Sequence, residues 1–104
     1  MNIRQIEYFV ETVNLKSFTK AANKLFVTQS ALSKAIQSTE NELNTTLIDR
    51  NAKDFQLTKD GCTFYKYAVE VLDFFNVKTS QLLKDLEQNQ EEISIGLTPT
   101  SGAM

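Results

Sequence analysis

Basic and uncharged polar side chains are the groups in this chain whose spacing suits a chemical task. Residues 16–34 contain four lysines and no acidic residue: Lys16, Lys20, Lys24 and Lys34. Ammonium groups without acidic neighbours attract phosphate, so this stretch suits a nucleic-acid backbone. Acidic residues prevail from Thr58 onward, and the whole chain has a net charge of −2. The alternative interpretation is that these lysines only solvate helix faces.

Residues of the kinds that most enzymes need are scarce. The sequence contains no His, and Cys62 is its only cysteine. Imidazole catalysis, His metal sites, an intrachain disulfide and a cysteine zinc cluster are therefore excluded within these residues. We predict a protein that is not an enzyme and that holds no cofactor or metal here; a redox role for Cys62 stays open. Without a secretory signal or a membrane-spanning run, cytoplasmic residence is the expectation.

Three short helices are expected before residue 44, because apolar residues recur there with helical spacing. They follow Asn2, Ser17 and Thr28, which are all good N-cap residues, and the third extends to about Leu43. Two small alanines in the second helix allow a neighbouring helix to approach closely. The inward-facing residues are Ile3, Ile6, Phe9, Val10 and Val13, then Phe18, Ala21, Ala22 and Leu25, then Leu32, Ile36 and Leu43.

The outer face of the third helix carries polar groups of the kind that bond to base edges. Its residues are Ser30, Ser33, Lys34, Gln37 and Asn41. The acids Glu40 and Glu42 are expected on the flanks of this helix, near its far end. Two short helices joined by a turn at residues 25–27 are typical of a helix-turn-helix, whose second helix enters the major groove of DNA.

A hairpin is expected after these helices. Residues 46–48 and 55–57 have the composition of two short strands, and residues 49–54 form the loop between them. Such a hairpin would be a wing, with Arg50 and Lys53 placed to reach the DNA backbone or minor groove. The predicted fold class is therefore mainly α: a winged helix-turn-helix of three helices plus a short two-stranded wing, followed by a long linker helix.

The long helix is expected to begin after Thr58 and to carry a heptad pattern of mainly apolar residues. About thirty residues at ~1.5 Å each span roughly 45 Å, which is too long to be buried against one small domain. We therefore predict a homodimer through this helix. The alternative is an interaction module, in which the heptads are the function and the first helices only cap them. The heptad positions are Tyr65, Ala68, Leu72, Phe75, Thr79, Leu82 and Leu86.

The last residues suggest a change of structure. Residues 88–92 have the composition of a polar, acidic hinge, and residues 93–97 that of a strand. Because an isolated strand has no partner, we expect it to open a further domain. The expected organisation is a DNA-binding domain over residues 1–57, a linker and dimerisation helix over 58–89, and a hinge with the first strand of a further domain over 90–104.

Many residues in fixed register resemble the N-terminal DNA-binding domain of LysR-type transcriptional regulators. The resemblance covers residues 2 to about 97, with its core over about sixty residues, and is therefore specific. Its motifs are Gln5-x-x-Tyr8-Phe9-Val10, Ser17-Phe18-Thr19-x-Ala21-Ala22-x-x-Leu25, Val27-Thr28-Gln29-Ser30-Ala31-Leu32-Ser33-Lys34-x-Ile36, Glu40-x-Glu42-Leu43, Leu47-x-x-Arg50 and Leu57-Thr58-x-x-Gly61.

This resemblance implies a sequence-specific regulator that binds an inverted repeat in double-stranded promoter DNA as a dimer. Full-length relatives usually form tetramers and respond to a small-molecule effector, whose identity the sequence leaves unknown. By the same resemblance, residues 93–97 look like the opening strand of the effector-binding domain, so that residues 90–104 would hold the hinge and this first strand. The residues that fall on base-contacting positions are Gln29, Ser30, Ala31, Ser33 and Lys34. Those placed near the DNA backbone or the wing are Ser17, Thr19, Thr28, Gln37, Arg50, Lys53 and Thr58.

Four positions depart from the usual family pattern. Ser30 replaces a frequent Pro, and Lys34 replaces a frequent Arg, which removes the planar fork that suits guanine. Thr39 replaces a usual Leu on the inward face. Asn44 replaces a usual Gly, although Asn tolerates a left-handed backbone better than most residues.

Overall fold

Four α-helices form most of the described chain. The computed structural model describes the backbone of residues 1–94 and the side chains of residues 1–90. The helices are α1 Ile3–Leu15, α2 Phe18–Leu25, α3 Gln29–Leu43 and α4 Lys59–Ser94. The mainly helical fold and the three short helices are therefore confirmed. The chain divides into two units, one of Met1–Leu72 and one that begins at Asp73.

Side-chain caps explain why the helices begin where they do. Asn2 accepts from the backbone N–H of Gln5 at 2.9 Å, and Gln5 accepts in return from that of Asn2, also at 2.9 Å. This reciprocal pair is a capping box, which satisfies two N–H groups that the helix itself leaves unpaired. Ser17 and Thr28 cap α2 and α3 by accepting one backbone N–H each, from Lys20 at 3.1 Å and from Ala31 at 3.0 Å, without a reciprocal bond.

The three short helices end in left-handed residues. Lys16, Phe26 and Asn44 have φ values of 52°, 59° and 57°. The left-handed conformation turns the chain sharply and lets the cap N–H bond back to carbonyls of the last turn. Asn44 stands where the family usually has Gly, and it adopts the left-handed conformation, which Asn tolerates better than most residues.

The core of the first unit lies where α1, α2 and α3 meet. Phe9, Leu32 and Ile36 have no exposed surface, and Ala21 and Ala22 allow the helices to come close. The Phe9 ring packs edge-on against Phe64 of α4, with ring centroids 5.0 Å apart. Such edge-to-face pairs are favourable beyond the area that they bury.

The inward face of α3 differs from the prediction at its C-terminal end. Leu43, expected to be buried, is 38% exposed, whereas Thr39 is fully buried. Thr39 satisfies its hydroxyl by donating to the carbonyl oxygen of Ala35 at 3.2 Å, so a polar residue is tolerated at this position. Glu40 was expected on a flank of the helix, and this was wrong: it is only 8% exposed.

The two-stranded wing is reduced to a single antiparallel bridge between Ile48 and Leu57 within the described residues. Two backbone bonds flank this bridge: the N–H of Asp49 donates to the carbonyl of Gln56 at 2.9 Å, and that of Thr58 to the carbonyl of Leu47 at 3.0 Å. The physical reason for this reduction is competition for donors. The backbone N–H of Leu47 donates to the Glu40 carboxylate at 2.7 Å instead of to the carbonyl of the facing segment. The N–H of Ile48, which points away from that segment, donates to the same carboxylate at 3.2 Å. The expected strands at residues 46–48 and 55–57 were therefore wrong as extended elements.

Helix α4 extends further than its sequence suggested. It continues through Ser94, whereas the linker helix was predicted to end at residue 89. Residues 88–92, expected as a hinge, are helical, because Gln and Glu are good helix formers. Ile93 and Ser94 are helical too; the remainder of the expected strand and loop lies outside the described residues. In the part of the chain that the structure describes, no helix has the length and apolarity needed to cross a membrane.

Candidate nucleic-acid interface

The first turns of α3 present a polar, solvent-facing surface, as the sequence predicted. Gln29, Ser30, Ala31 and Lys34 are exposed, and Ser33 is half-buried. We call these five residues the recognition face. Gln37, one turn further along, is exposed too. The N-terminus of α3 adds backbone N–H groups and the positive end of the helix dipole, both of which favour an anion.

One residue of the recognition face is tied to the neighbouring helix. The side-chain Nε2 of Gln29 donates a hydrogen bond to Oγ1 of Thr19 in α2. Both side chains remain exposed. The contact therefore links the two helices of the helix-turn-helix at the surface rather than in the core.

A shallow concavity lies beside the recognition face. It has a volume of about 280 Å³ and is lined by Phe18, Gln29, Ser33 and Arg50. The guanidinium of Arg50 lies over the Phe18 ring, 5.8 Å from its centroid, which is the geometry of a cation–π contact. Residues from α2, α3 and the segment after α3 therefore share one surface.

Arg50 is held by a buried carboxylate. Its Nη1 donates to both carboxylate oxygens of Glu40, at 3.0 Å and 3.2 Å. The Glu40 side chain is 9% exposed and that of Arg50 is 35% exposed. Glu40 also accepts from the backbone N–H groups of Leu47 and Ile48. One carboxylate therefore fixes to α3 the segment of residues 47–50, which we call the bridge segment. This role of Glu40 was missed from the sequence; its place four residues after inward-facing Ile36 signals that it is buried, but not which groups it binds.

Three hydroxyl residues assigned to the DNA backbone act as helix caps. Ser17 and Thr28 accept backbone N–H groups through their oxygens, which leaves their hydroxyl protons able to donate. Thr58 differs, because its Oγ1 accepts from Gly61 N–H at 2.9 Å and also donates to the carbonyl of Thr46. Its proton is therefore used within the protein, and the structure assigns Thr58 to capping α4 rather than to the predicted phosphate contact.

The lysines named from the sequence keep their side chains in solvent. Lys16, Lys20, Lys34 and Lys53 are exposed. Lys24 is exposed too, but its Nζ lies 3.1 Å from Oε1 of Glu11 in α1. One of the four positive charges of residues 16–34 is therefore paired with an acidic residue of α1. Among residues 1–90, no group of acidic, Cys or His side chains is arranged to hold a metal ion.

The predicted dimerisation residues separate into two groups. Ala68 is 3% exposed and belongs to the core of its own chain, and Tyr65 and Leu72 pack against that core. The Tyr65 hydroxyl also bonds to the Asn14 side chain. Ala68 is therefore not available to a partner chain, and assigning it to a dimer seam was wrong. The remaining positions lie in the second unit: Thr79 is half-buried, and three large apolar residues are exposed, namely Phe75, Leu82 and Leu86.

These features define the class of helix-turn-helix nucleic-acid-binding domains. They are a short helix pair whose second helix has a polar face, a charged bridge segment and a long C-terminal helix. The model of one family matches residues 3–62; its description is "Bacterial regulatory helix-turn-helix protein, lysR family". The chain belongs to this LysR family of bacterial regulators.

Sequence relatives support the same family. The HTH-type transcriptional regulator BenM of Acinetobacter baylyi is 38% identical over 96 residues, which is 92% of this chain and 31% of that protein. The regulator BsdA of Bacillus subtilis is 34% identical over 99 residues, covering 94% of this chain and 34% of that protein. The chain thus spans about a third of the length of these relatives. Since they are regulators, the prediction that this chain is not an enzyme is confirmed.

Solved structures resemble the fold closely. The BenM DNA-binding domain in complex with catB site 1 DNA has a TM-score of 0.77 and 38% identity, over 81% of this chain and 93% of that chain. DarR of Vibrio fischeri in complex with DNA has a TM-score of 0.78 and 31% identity, over 85% of this chain and 30% of that chain. Both similar structures contain DNA.

Proposed function

We propose that this chain binds double-stranded promoter DNA in a sequence-specific manner and regulates transcription. The single observation that carries this proposal is the exposed recognition face on the first turns of α3. A polar face at a helix N-terminus fits the major groove, where base edges present donors and acceptors that differ between base pairs. The DNA in the two similar structures agrees with this proposal.

Each residue of the recognition face has a suitable base partner. The Gln29 amide bonds bidentately to adenine, and the Lys34 ammonium donates to guanine or to a phosphate. The Ala31 methyl contacts a thymine methyl, while the hydroxyls of Ser30 and Ser33 bond to either kind of base edge or to phosphate. All except Ser33 are exposed, so a duplex reaches them without any rearrangement of the protein.

Contacts to the sugar-phosphate backbone would set the register of the protein on DNA. We assign them to Ser17, Thr19, Thr28 and Gln37, and to Lys53 in the segment that acts as the wing. Arg50 keeps a part in this contact surface, because a third of its side chain is exposed although one nitrogen is bound to Glu40.

A homodimer through α4 would present two recognition faces to an inverted repeat. The exposed apolar residues of the second unit support this, since such groups are seldom left in water without a partner. In the longer protein, residues 1–57 would bind DNA, residues 58–89 would link and dimerise, and residues 90–104 would lead into an effector-binding domain. That protein would act in the cytoplasm, where promoter DNA lies, as a tetramer controlled by a small molecule.

Selection from a pool of random duplexes tests the proposal. We expect enrichment of one inverted-repeat sequence, and a labelled duplex of that sequence should be retarded in a gel. Binding should weaken steeply as salt rises, because each phosphate contact releases counterions. If no duplex is enriched and none is retarded at low salt, the chain is instead an interaction module built on α4.

A further inference from the structure

The hydrogen bond between Thr19 and Gln29 has no evident role in holding the fold together. It joins the surfaces of α2 and α3 through two exposed side chains, outside the core where Phe9, Leu32 and Ile36 hold the helices together. An exposed side-chain bond of this kind adds little to the stability of a fold. It does, however, restrict a long side chain that would otherwise sample several rotamers.

The bond leaves the hydrogen-bonding groups of Gln29 arranged for one base. A glutamine amide has two N–H donors and one carbonyl acceptor, and Thr19 takes one donor. One donor and the carbonyl oxygen remain, which are the two groups that bond to N7 and N6 of adenine. In the opposite orientation the Gln29 oxygen would need the Thr19 hydroxyl proton, so the amide is held in the observed order once that proton is donated to another acceptor.

The Thr19 hydroxyl retains a function of its own. Its oxygen accepts from Gln29, so its proton is free to donate. Within residues 1–90, that proton has no acceptor in the protein. A phosphate oxygen beside the groove is a suitable acceptor, since half or more of protein–DNA hydrogen bonds go to the backbone.

We infer that Thr19 is a positioning residue for base recognition, whose hydroxyl fixes the Gln29 amide in the orientation that selects adenine while it anchors to the adjacent phosphate. This inference rests on the proposed function. Removing a positioning residue changes a different property of binding from removing a plain phosphate contact. Loss of a phosphate contact weakens binding to every sequence equally, whereas loss of Gln29 orientation reduces discrimination at a single base pair.

Matched variants separate these effects. Thr19→Val removes the hydroxyl and keeps the branched shape, and Thr19→Ser restores the hydroxyl. Each would be tested against the preferred duplex selected by the unaltered chain and against its single-base variants. At one A·T pair, Thr19→Val should lower the preference for adenine roughly three- to tenfold, whereas Thr19→Ser should retain it. Preferences at the other pairs should stay the same.

A double variant tests whether Thr19 acts through Gln29. In a Gln29→Ala background, Thr19→Val should cause no further loss of base preference. Thermal unfolding of each variant checks that the fold is intact, which is expected because Thr19 is exposed. An equal loss of affinity for all duplexes, or no change in preference, would overturn the inference while the proposed function stands. A chain that itself shows no sequence preference would overturn both.

Discussion

Lys34 is the cation of the recognition face and is expected to contribute most to affinity there. It is exposed and has no ion-pair partner among the described residues. Lys34→Ala should weaken binding to the selected duplex by ~1–3 kcal/mol, because a charged donor to a base or phosphate is lost. Titration of the selected duplex at several salt concentrations measures the loss. If Lys34 contacts a phosphate, the salt slope should also fall by about one.

A lysine of the second unit provides the control for Lys34. Lys84→Ala removes the same charge from an exposed position in α4, in the second unit. Its effect on affinity should be small at physiological salt, since salt screens an exposed charge that makes no contact with a base or a phosphate. Equal losses in the two variants would show that net charge, and not the recognition face, determines binding.

Glu40 is expected to be the residue whose loss most disturbs the segment after α3. Glu40→Ala leaves the Leu47 and Ile48 N–H groups and the Arg50 guanidinium without their acceptor. The free energy of unfolding should fall by ~2–4 kcal/mol, less than for a fully buried pair because Arg50 is a third exposed. Denaturant titration measures this.

Two further substitutions separate the N–H bonds of Glu40 from its ion pair. Glu40→Gln keeps one oxygen for the N–H groups, so its stability should lie between that of the unaltered chain and that of Glu40→Ala. Glu87→Ala, at an exposed position of α4, should change stability by less than about 0.5 kcal/mol. If Glu40→Ala is as stable as Glu87→Ala, the carboxylate does not hold this segment.

Residue type and spacing predicted the recognition face but not the contacts that support it. Helical periodicity alone places Ser30, Ser33 and Lys34 opposite Leu32 and Ile36, because the local geometry of a helix fixes that relation. The Glu40–Arg50 pair depends on how the chain folds back after α3, which no local pattern encodes. The same holds for Thr19 and Gln29, which lie in different helices and meet only through the crossing of those helices.

Gly61 determines how closely α4 approaches the segment before the bridge. A Cβ atom built on it would lie 2.0 Å from the carbonyl oxygen of Leu47. Replacement of a helical Gly by Ala ordinarily stabilises a helix by about 1 kcal/mol. Here Gly61→Ala should instead destabilise the chain by ~1–3 kcal/mol, since backbone atoms must move apart. Thermal or denaturant unfolding gives the sign directly.

Ser80→Ala, in the same helix, is the control that shows how helix propensity alone changes the stability of the chain. Ser80 is exposed, so its replacement should stabilise the chain by a few tenths of a kcal/mol through helix propensity alone. A stabilising effect of Gly61→Ala, like that of Ser80→Ala, would mean that the approach to Leu47 imposes no constraint.

Helix starts were predictable at the level of elements, whereas strand formation and the end of α4 were not. Asn2, Ser17, Thr28 and Thr58 all cap the helices that follow them, because capping depends on the few residues next to the helix end. Strand pairing depends on which donors remain free, and Glu40 takes the N–H of Leu47, which would otherwise face the partner segment. The polar residues at 88–92 suggested a hinge, although their helix propensity is high.

At the scale of the whole molecule, the two units have different requirements. Residues 1–72 possess a core of their own, with Phe9, Leu32 and Ile36 fully buried. In the described part of the second unit, Leu82 and Leu83 are 56% and 60% exposed. A helix with this much exposed apolar surface is unfavourable in water by itself. We therefore expect association to stabilise the second unit and to leave the core of the first unit unchanged.

Substitutions confined to the second unit test dimerisation without disturbing the first. The pair Phe75→Lys and Leu82→Lys places charges on two exposed heptad positions, whereas a change at Leu72 would also damage the core of the first unit. Sedimentation should show a monomer, because buried charges without partners oppose association. Binding to a single half-site should persist, and binding to the inverted repeat should fall ~100-fold or more, since the two half-sites are no longer linked.

Ser80→Lys on the same helix is the control and should leave the dimer intact. An unchanged dimer in the Phe75→Lys, Leu82→Lys variant would place the interface elsewhere.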